Sequence, residues 1–348
     1  MQEQFAELQE RFGDLVDLSG VQAVLTWDQN TYMPPQGAAG RGRQSGRIAR
    51  LAQEKMIEPR VGELLEELEG WAAGLPFESY EASYVRAARR LYDRSSVVPP
   101  EFTARFFAHT AQTLEHWRKA RAADDFSIVA PHLEGTVELS REFSGFFPHE
   151  HPADPHINVS DYGMTVATLQ PLFAQLRKEL VPLVSAITER EPIDDSCLKQ
   201  HYPHDDQIAF GLEVIKAFGY DFDRGRQDLA PHPFMIRFNA GDIRITARVD
   251  EHDVSEALFG TMHECGHALY ELGIDPAYDG SPLGRGTSSG VHESQSRLWE
   301  NQVGRSRAFW EHYYEPLQRA FPDQLGEVSL DTFYRAINKV HPGLIRTA

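Results

Sequence analysis

The sequence predicts a mostly α fold with one small antiparallel β hairpin, and three observations carry that expectation. Apolar residues recur at three- and four-residue spacing over residues 1–220, as in FAELQERFGDLVDL, VGELLEELEGWAAGL and LQPLFAQLRKELVPLVSAI. Prolines fall between these runs, at MPPQG, VVPPEF and EREPIDD, where they end one helix or open the next. One stretch beginning at His232, HPFMIRFNAGDIRITARVDE, alternates apolar and polar residues around NAGD, the pattern of two strands joined by a tight turn.

The chain has 348 residues, 41% of them hydrophobic, enough for a substantial core. Its formal net charge of -18 repels phosphate backbones and anionic lipid, so neither nucleic acid nor a membrane is an expected partner. The start, MQEQFAELQERFGDL, is amphipathic and acidic and lacks the basic flank and apolar run of a secretory signal. No stretch approaches the ~18 consecutive apolar residues of a spanning helix. The two cysteines, Cys197 and Cys265, form no disulfide framework and suit a reducing compartment. The expected location is cytoplasmic.

Within the hairpin, side chains alternate between faces. Asp242, Arg244 and Thr246 share one face, and Ile243, Ile245 and Ala247 share the other. The second set is expected in the core and the first along a groove.

Helical periodicity resumes at Ser255 and runs through TMHECGHALYELG, Thr261 to Gly273. In an α-helix residues i and i+4 stack, so His263 and His267 can offer two imidazoles to one metal ion. Glu264 is turned by roughly 100° from His263, beside the metal and not on it, where a general base for hydrolysis belongs. Leu258, Met262, Cys265, Leu269 and Leu272 form an apolar stripe on nearly the opposite side, which predicts one face in a core and the other on a cleft. Gly260 and Gly266 are expected to keep the metal face open.

A site of this type needs a third protein ligand. In GRGTSSGVHESQSRLWENQVG, any of Thr287, Ser288 and Ser289 can cap a helix starting near Val291, with Glu293 in its first turn. Folded back over the histidines, Glu293 completes a two-His, one-Glu set. His292 points elsewhere on that helix and is a candidate for substrate contact or for support of the ligands. Glu300, farther along, is the weaker ligand candidate.

Four motifs in order, HPF (His232 to Phe234), DIRIT (Asp242 to Thr246), HECGH (His263 to His267) and HESQSR (His292 to Arg297), resemble those of the carboxypeptidase Taq family of metallocarboxypeptidases. Upstream, LTWDQNTYMPPQGAAGRGRQ (Leu25 to Gln44) is similar to the family's N-terminal segment. The resemblance implies a large helical, zincin-like fold with a deep central groove, the hairpin lying beside the HExxH helix. Residues 1–220 would form one wall or cap of the groove and residues 221–348 the metal-site region, in one continuous domain. It implies one divalent metal, zinc first and cobalt second, on His263, His267 and Glu293, with Glu264 as the base. His232, Asp242, Arg244 and Thr246 would shape the pocket for a peptide with a free C-terminal carboxylate. A homodimer is implied as well.

Family members are longer. The final LIRTA is similar to the start of the family's I-R-x-x-A-D motif, in which Arg346 would match an arginine that binds the substrate carboxylate; Arg244 is the other candidate. Three readings follow. The first is an active metallocarboxypeptidase, the second a shortened relative that binds metal but turns over poorly, and the third an endopeptidase on a related plan. Apolar surface that the family's C-terminal part would cover is expected to be exposed or paired with another chain.

Overall fold

The computed structural model describes residues 1–340, which divide into two compact units. The first comprises Met1–Val159, Arg237–Asp242 and Ile274–Thr287. The second comprises Ser160–Ile236, Ile243–Gly273 and the chain from Ser288 onward. The mostly α class stands, and among the described residues β structure is confined to three short strands.

The first unit runs through α1 (Gln2–Thr31), α2 (Ala38–Met56), α3 (Pro59–Ala73), α4 (Tyr80–Val97), α5 (Pro100–Ala123) and α6 (Ala130–Ser144), with α7 (Asp154–Ser160) at its boundary. Pro59 and Pro100 occupy first-turn positions, where a missing N–H costs nothing. Ser79 caps α4 by accepting from the Ala82 amide at 3.3 Å. Phe5, Leu8, Phe12 and Leu15 form one stripe along α1, which packs on Val61, Leu64, Leu65 and Leu68 of α3 and on Tyr84 and Val85 of α4. The hairpin tip belongs here: Phe238 meets Trp27 edge-on at 6.3 Å, and Arg237 pairs with Asp279 at 2.9 Å.

The second unit begins with α8 (Val166–Thr188) and α9 (His204–Phe218). The strands β1 (Gln227–Leu229), β2 (Met235–Asn239) and β3 (Asp242–Ala247) follow, in the spatial order β1-β3-β2. The hairpin β2–β3 is where the alternation predicts it, turning at Ala240 and Gly241. β1 extends the expected hairpin into a small three-stranded sheet. It lies parallel to β3, with Gln227 opposite Ile245 and Leu229 opposite Ala247. Three residues are too few for alternation to register in the sequence.

Next come α10 (Val254–Leu272), α11 (Ser289–Arg297), a π-helical turn over Leu298–Val303, α12 (Arg307–Ala320), α13 (Pro322–Leu325) and α14 (Leu330–Ile337). Asp253 caps α10 and Ser288 caps α11. The core of this unit wraps α10. Leu258, Phe259 and Met262 pack with Phe210 and Val214 of α9 and with Trp310 and Leu317 of α12. On another side Cys265 and Ala268 meet Ile243 and Ile245 of β3. Both cysteines are buried and free.

Two expectations change here. The helix α10 is buried on more than its apolar stripe: Thr261, His263 and Glu264 are also buried, while Leu269 and Leu272 are only half-buried. Gly266 does not open space. A Cβ there would sit 2.7 Å from both the Gln295 carbonyl oxygen and the Ser296 Cα, so the missing side chain lets α11 lie against α10. Apolar side chains are exposed along α8. None of its residues is buried, and Leu172, Phe173, Leu180 and Leu183 are all more than half or about half exposed (54%, 58%, 50% and 56%).

Gly266→Ala tests the helix contact. Alanine gains about 1 kcal/mol of helix propensity. The clash is with backbone, which cannot swing aside, and overpacking of this kind costs about 1–3 kcal/mol. The variant is expected to unfold at lower urea than the parent. An equal or higher midpoint would mean that the two helices do not meet at Gly266.

Candidate metal centre

The site is built from α10 and α11. One turn of α10 carries His263 and His267 on the same side, and the Ser288 cap starts α11 so that Glu293 lies in its early turns. With Gly266 admitting α11, Glu293 Oε2 comes to 3.6 Å from His263 Nε2 and 3.3 Å from His267 Nε2. Ligand atoms of the three side chains all lie within 4.8 Å of one another. Three donors on a tetrahedral ion at ~2.1 Å would be about 3.4 Å apart. The two histidine–glutamate separations bracket that value, so the donor set suits a small divalent cation.

Each histidine is braced through its other nitrogen. His263 Nδ1 is 2.8 Å from Glu300 Oε2. His267 Nδ1 is 2.6 Å from His292 Nδ1, and His292 Nε2 is 3.0 Å from Glu271 Oε1. Both carboxylates are buried. Glu300 also meets Arg297 at 3.3 Å and Arg305 at 3.9 Å. It stands in the π-helical turn, whose altered winding belongs to the stretch that joins Glu300 to His263.

Glu293 accepts from Arg297 Nε at 2.8 Å and from the Ser296 hydroxyl at 3.1 Å. Burial raises its pKa, but the Arg297 hydrogen bond, the His263 charge and the Ser296 hydroxyl outweigh it and hold the carboxyl below its ordinary range. Burial, with the neighbouring His292 and His263 adding to it, pushes His267 down to about 4. Its ring is therefore neutral near pH 7, the form a metal ion requires.

A cavity of about 510 Å³ opens over these groups. The segment His232–Phe234 and Met235 line part of it; His263, Glu264, His267, His292, Glu293 and Arg297 line the rest. Glu264 is buried and borders the same space as the His–His–Glu cluster.

The other sequence-predicted residues are distributed differently. His232 is exposed and borders the cavity. Asp242, Arg244 and Thr246 are not among the residues lining it. Asp242 falls in the first unit, and Arg244 is half-buried. Thr246 corrects the expected polar groove face. It is fully buried, with its Oγ1 accepting from the Phe234 amide at 2.8 Å while its own amide donates to the Phe234 carbonyl at 2.9 Å. Its hydroxyl holds the HPF segment in place. Arg346 lies outside the described residues.

Sequence reasoning missed Glu271 and the cavity position of Arg297, and it weighed Glu300 only as a ligand. Glu271 had a signal: it follows His267 by four residues, one turn further along the histidine side of α10. Glu300 had a weaker one, seven residues beyond Glu293 on the same face.

Among the described residues no helix is long and apolar enough to cross a membrane. The model of the carboxypeptidase Taq (M32) metallopeptidase family matches residues 7–348. The chain is 38% identical over 341 residues to thermostable carboxypeptidase 1 of Thermus thermophilus, covering 94% of this chain and 66% of that protein. It is 36% identical over 327 residues to carboxypeptidase 1 of Bacillus subtilis, covering 93% and 65%. The chain thus spans about two thirds of the length of these curated relatives. Among solved structures, the M32 carboxypeptidase of Deinococcus radiodurans R1 superposes with a TM-score of 0.87 at 43% identity, over 99% of this chain and 69% of that one. The Pyrococcus furiosus carboxypeptidase superposes with a TM-score of 0.88 at 31% identity, over 100% and 70%.

The depressed His267 sets a pH dependence for the metal-free chain. Between 6.5, the ordinary histidine value, and about 4, the unfolded chain binds a proton that the folded chain refuses. Stability is expected to fall as pH is lowered through that window. Glu293, held low, extends the loss at the acidic end. Urea midpoints in the presence of chelator between pH 7 and 4 read this directly, and a flat or rising midpoint would contradict a buried neutral His267.

Proposed function

We propose that this chain, which belongs to the carboxypeptidase Taq (M32) metallopeptidase family, forms the metal centre of a carboxypeptidase that releases C-terminal residues from peptides. The observation that carries this reading is the convergence of His263 Nε2, His267 Nε2 and Glu293 Oε2 on one small volume beside Glu264. Zinc is the ion we favour, with cobalt second, because two imidazoles and one carboxylate suit either. When bound, the ion supplies Lewis acidity, polarising a carbonyl and lowering the pKa of water toward ~7.

The chain's own residues do the rest. Glu264 stands one residue from a ligand and borders the cavity, so its carboxylate takes the proton of the attacking water and hands it to the leaving amine. Glu300 holds His263 by its Nδ1, leaving Nε2 directed at Glu293. The segment His232–Phe234, held by Thr246, offers a wall for the substrate chain. Exopeptidase action further needs a cation for the free terminal carboxylate. Arg244 and Arg346 are the candidates, and a guanidinium suits that role by its two parallel donors. The free cysteines and the acidic charge support a cytoplasmic setting, and the family resemblance supports a homodimer.

The test is metal content together with release of the terminal residue from unblocked and C-terminally amidated peptides. Stoichiometric zinc with chelator-sensitive release from the unblocked peptide alone is expected. Zinc with no release would favour a metal-binding but inactive chain, and cleavage of the amidated peptide would favour an endopeptidase. Glu264→Gln is expected to keep zinc and lose about 10²–10⁴-fold in rate. His263→Ala should lose the metal itself. A glutamine variant that still turns over at the parental rate would sink the assignment of the base.

A further inference from the structure

The two histidines are braced unequally. At its Nδ1, His263 meets a carboxylate directly, whereas the Nδ1 of His267 reaches one through a second histidine. From this geometry we propose that Glu271 and His292 form a positioning relay that fixes the proton of His267 on Nδ1 and turns its Nε2 lone pair toward the metal position. The proposal rests on the metal-site reading above and deepens it: His292 acts on a ligand and not on substrate.

The argument is one of donors and acceptors. A neutral imidazole has one N–H and one lone pair, and an ionised carboxylate can only accept. Glu271 therefore requires the proton of His292 on Nε2, 3.0 Å away. That leaves His292 Nδ1 as an acceptor. The proton in the 2.6 Å contact between the two Nδ1 atoms must then belong to His267. With Nδ1 protonated, His267 has its lone pair on Nε2, which faces Glu293 Oε2 at 3.3 Å. An unconstrained histidine side chain prefers the opposite tautomer, so the arrangement has to be imposed. The burial of Glu271, 5% exposed, protects the chain of contacts from competing water.

The relay also crosses between helices. Glu271 and His267 lie on α10, and His292 lies on α11. It thus ties the tautomer of one ligand to the same helix contact that delivers Glu293. Tyr270, beside Glu271, packs edge-on against the His292 ring at 5.1 Å and helps hold it between Glu271 and His267. No substrate contact is needed to explain a buried acid at position 271. A carboxylate there would otherwise be a costly group on a core helix.

The test uses the full chain, metal-free, with ¹⁵N-labelled histidine, and reads each ring's tautomer by NMR near pH 7. Zinc affinity is measured on the same samples by chelator competition. In the parent, His263 and His267 are both expected as the Nδ1–H form. In Glu271→Gln, the amide can present its NH₂ to His292 and reverse the chain. His267 is then expected to gain the Nε2–H form while His263 stays unchanged, and zinc affinity to fall about 10–100-fold. Glu300→Gln should do the reverse, moving His263 and leaving His267. A merely structural role for Glu271 would not sort the two rings in this way.

His292→Phe keeps a ring in place, removes the relay, and is expected to reproduce the His267 change; it serves should the glutamine variant fold poorly. The proposal is overturned by a parental His267 in the Nε2–H form. It is equally overturned by a Glu271→Gln chain with parental tautomers and zinc affinity within twofold of the parent. A parent with the expected tautomers but no zinc binding would instead overturn the metal-site reading and support the relay.

Discussion

The contact at Gly266 is the constraint on which the site depends. Side chains normally hold packed helices 8–10 Å apart. Here a helix carrying two imidazoles must receive a glutamate from a second helix at a few ångströms, and only an absent Cβ lets the backbones close enough. The approach has consequences on both sides of the glycine. Ser296 becomes fully buried, and its hydroxyl turns back onto the Glu293 carbonyl at 2.7 Å and its carboxylate at 3.1 Å. A second close passage follows at Gly304, where a Cβ would lie 2.6 Å from Met262 Sδ. The π-helical turn fills the interval between these two points, and Glu300 rides on it to His263. Ligand placement and core packing are thus one problem, solved on the same pair of helices.

How much of this the sequence declares depends on whether the information is local. His263, Glu264 and His267 are legible because helical periodicity alone puts them together. Ser288 and Glu293 are legible because a cap followed closely by an acid marks the start of a helix. The hairpin is legible from its alternation. What stayed hidden needs tertiary knowledge. β1 is too short to have a period and exists through its pairing with β3. Thr246 alternates like a groove residue but is drawn into the core by the Phe234 backbone. Gly266 reads as empty space until the partner helix is placed against it. Glu271 steps four residues on from His267 but otherwise reads as one more acid in a chain that carries 52 acidic residues, until the reach of His292 from another helix gives it a role.

Charge gives a final reason to view the cluster as a cation site and not as an ordinary ion-pair network. Glu264, Glu271, Glu293 and Glu300 stand around two neutral-capable histidines, and Arg297 and Arg305 are the guanidinium groups beside them. Carboxylates this close together repel one another, an excess of negative charge that is costly unless something neutralises it. Protonating Glu271 or Glu300 would relieve it but would also spoil an acceptor on which a histidine depends. Protonating His267 is opposed by its burial and by the neighbouring histidines. A cation at the meeting point of the two Nε2 atoms and Glu293 Oε2 relieves the excess while leaving every donor and acceptor in its role. The hydrogen-bond pattern and the gathering of carboxylates thus both favour the proposed cation at this place.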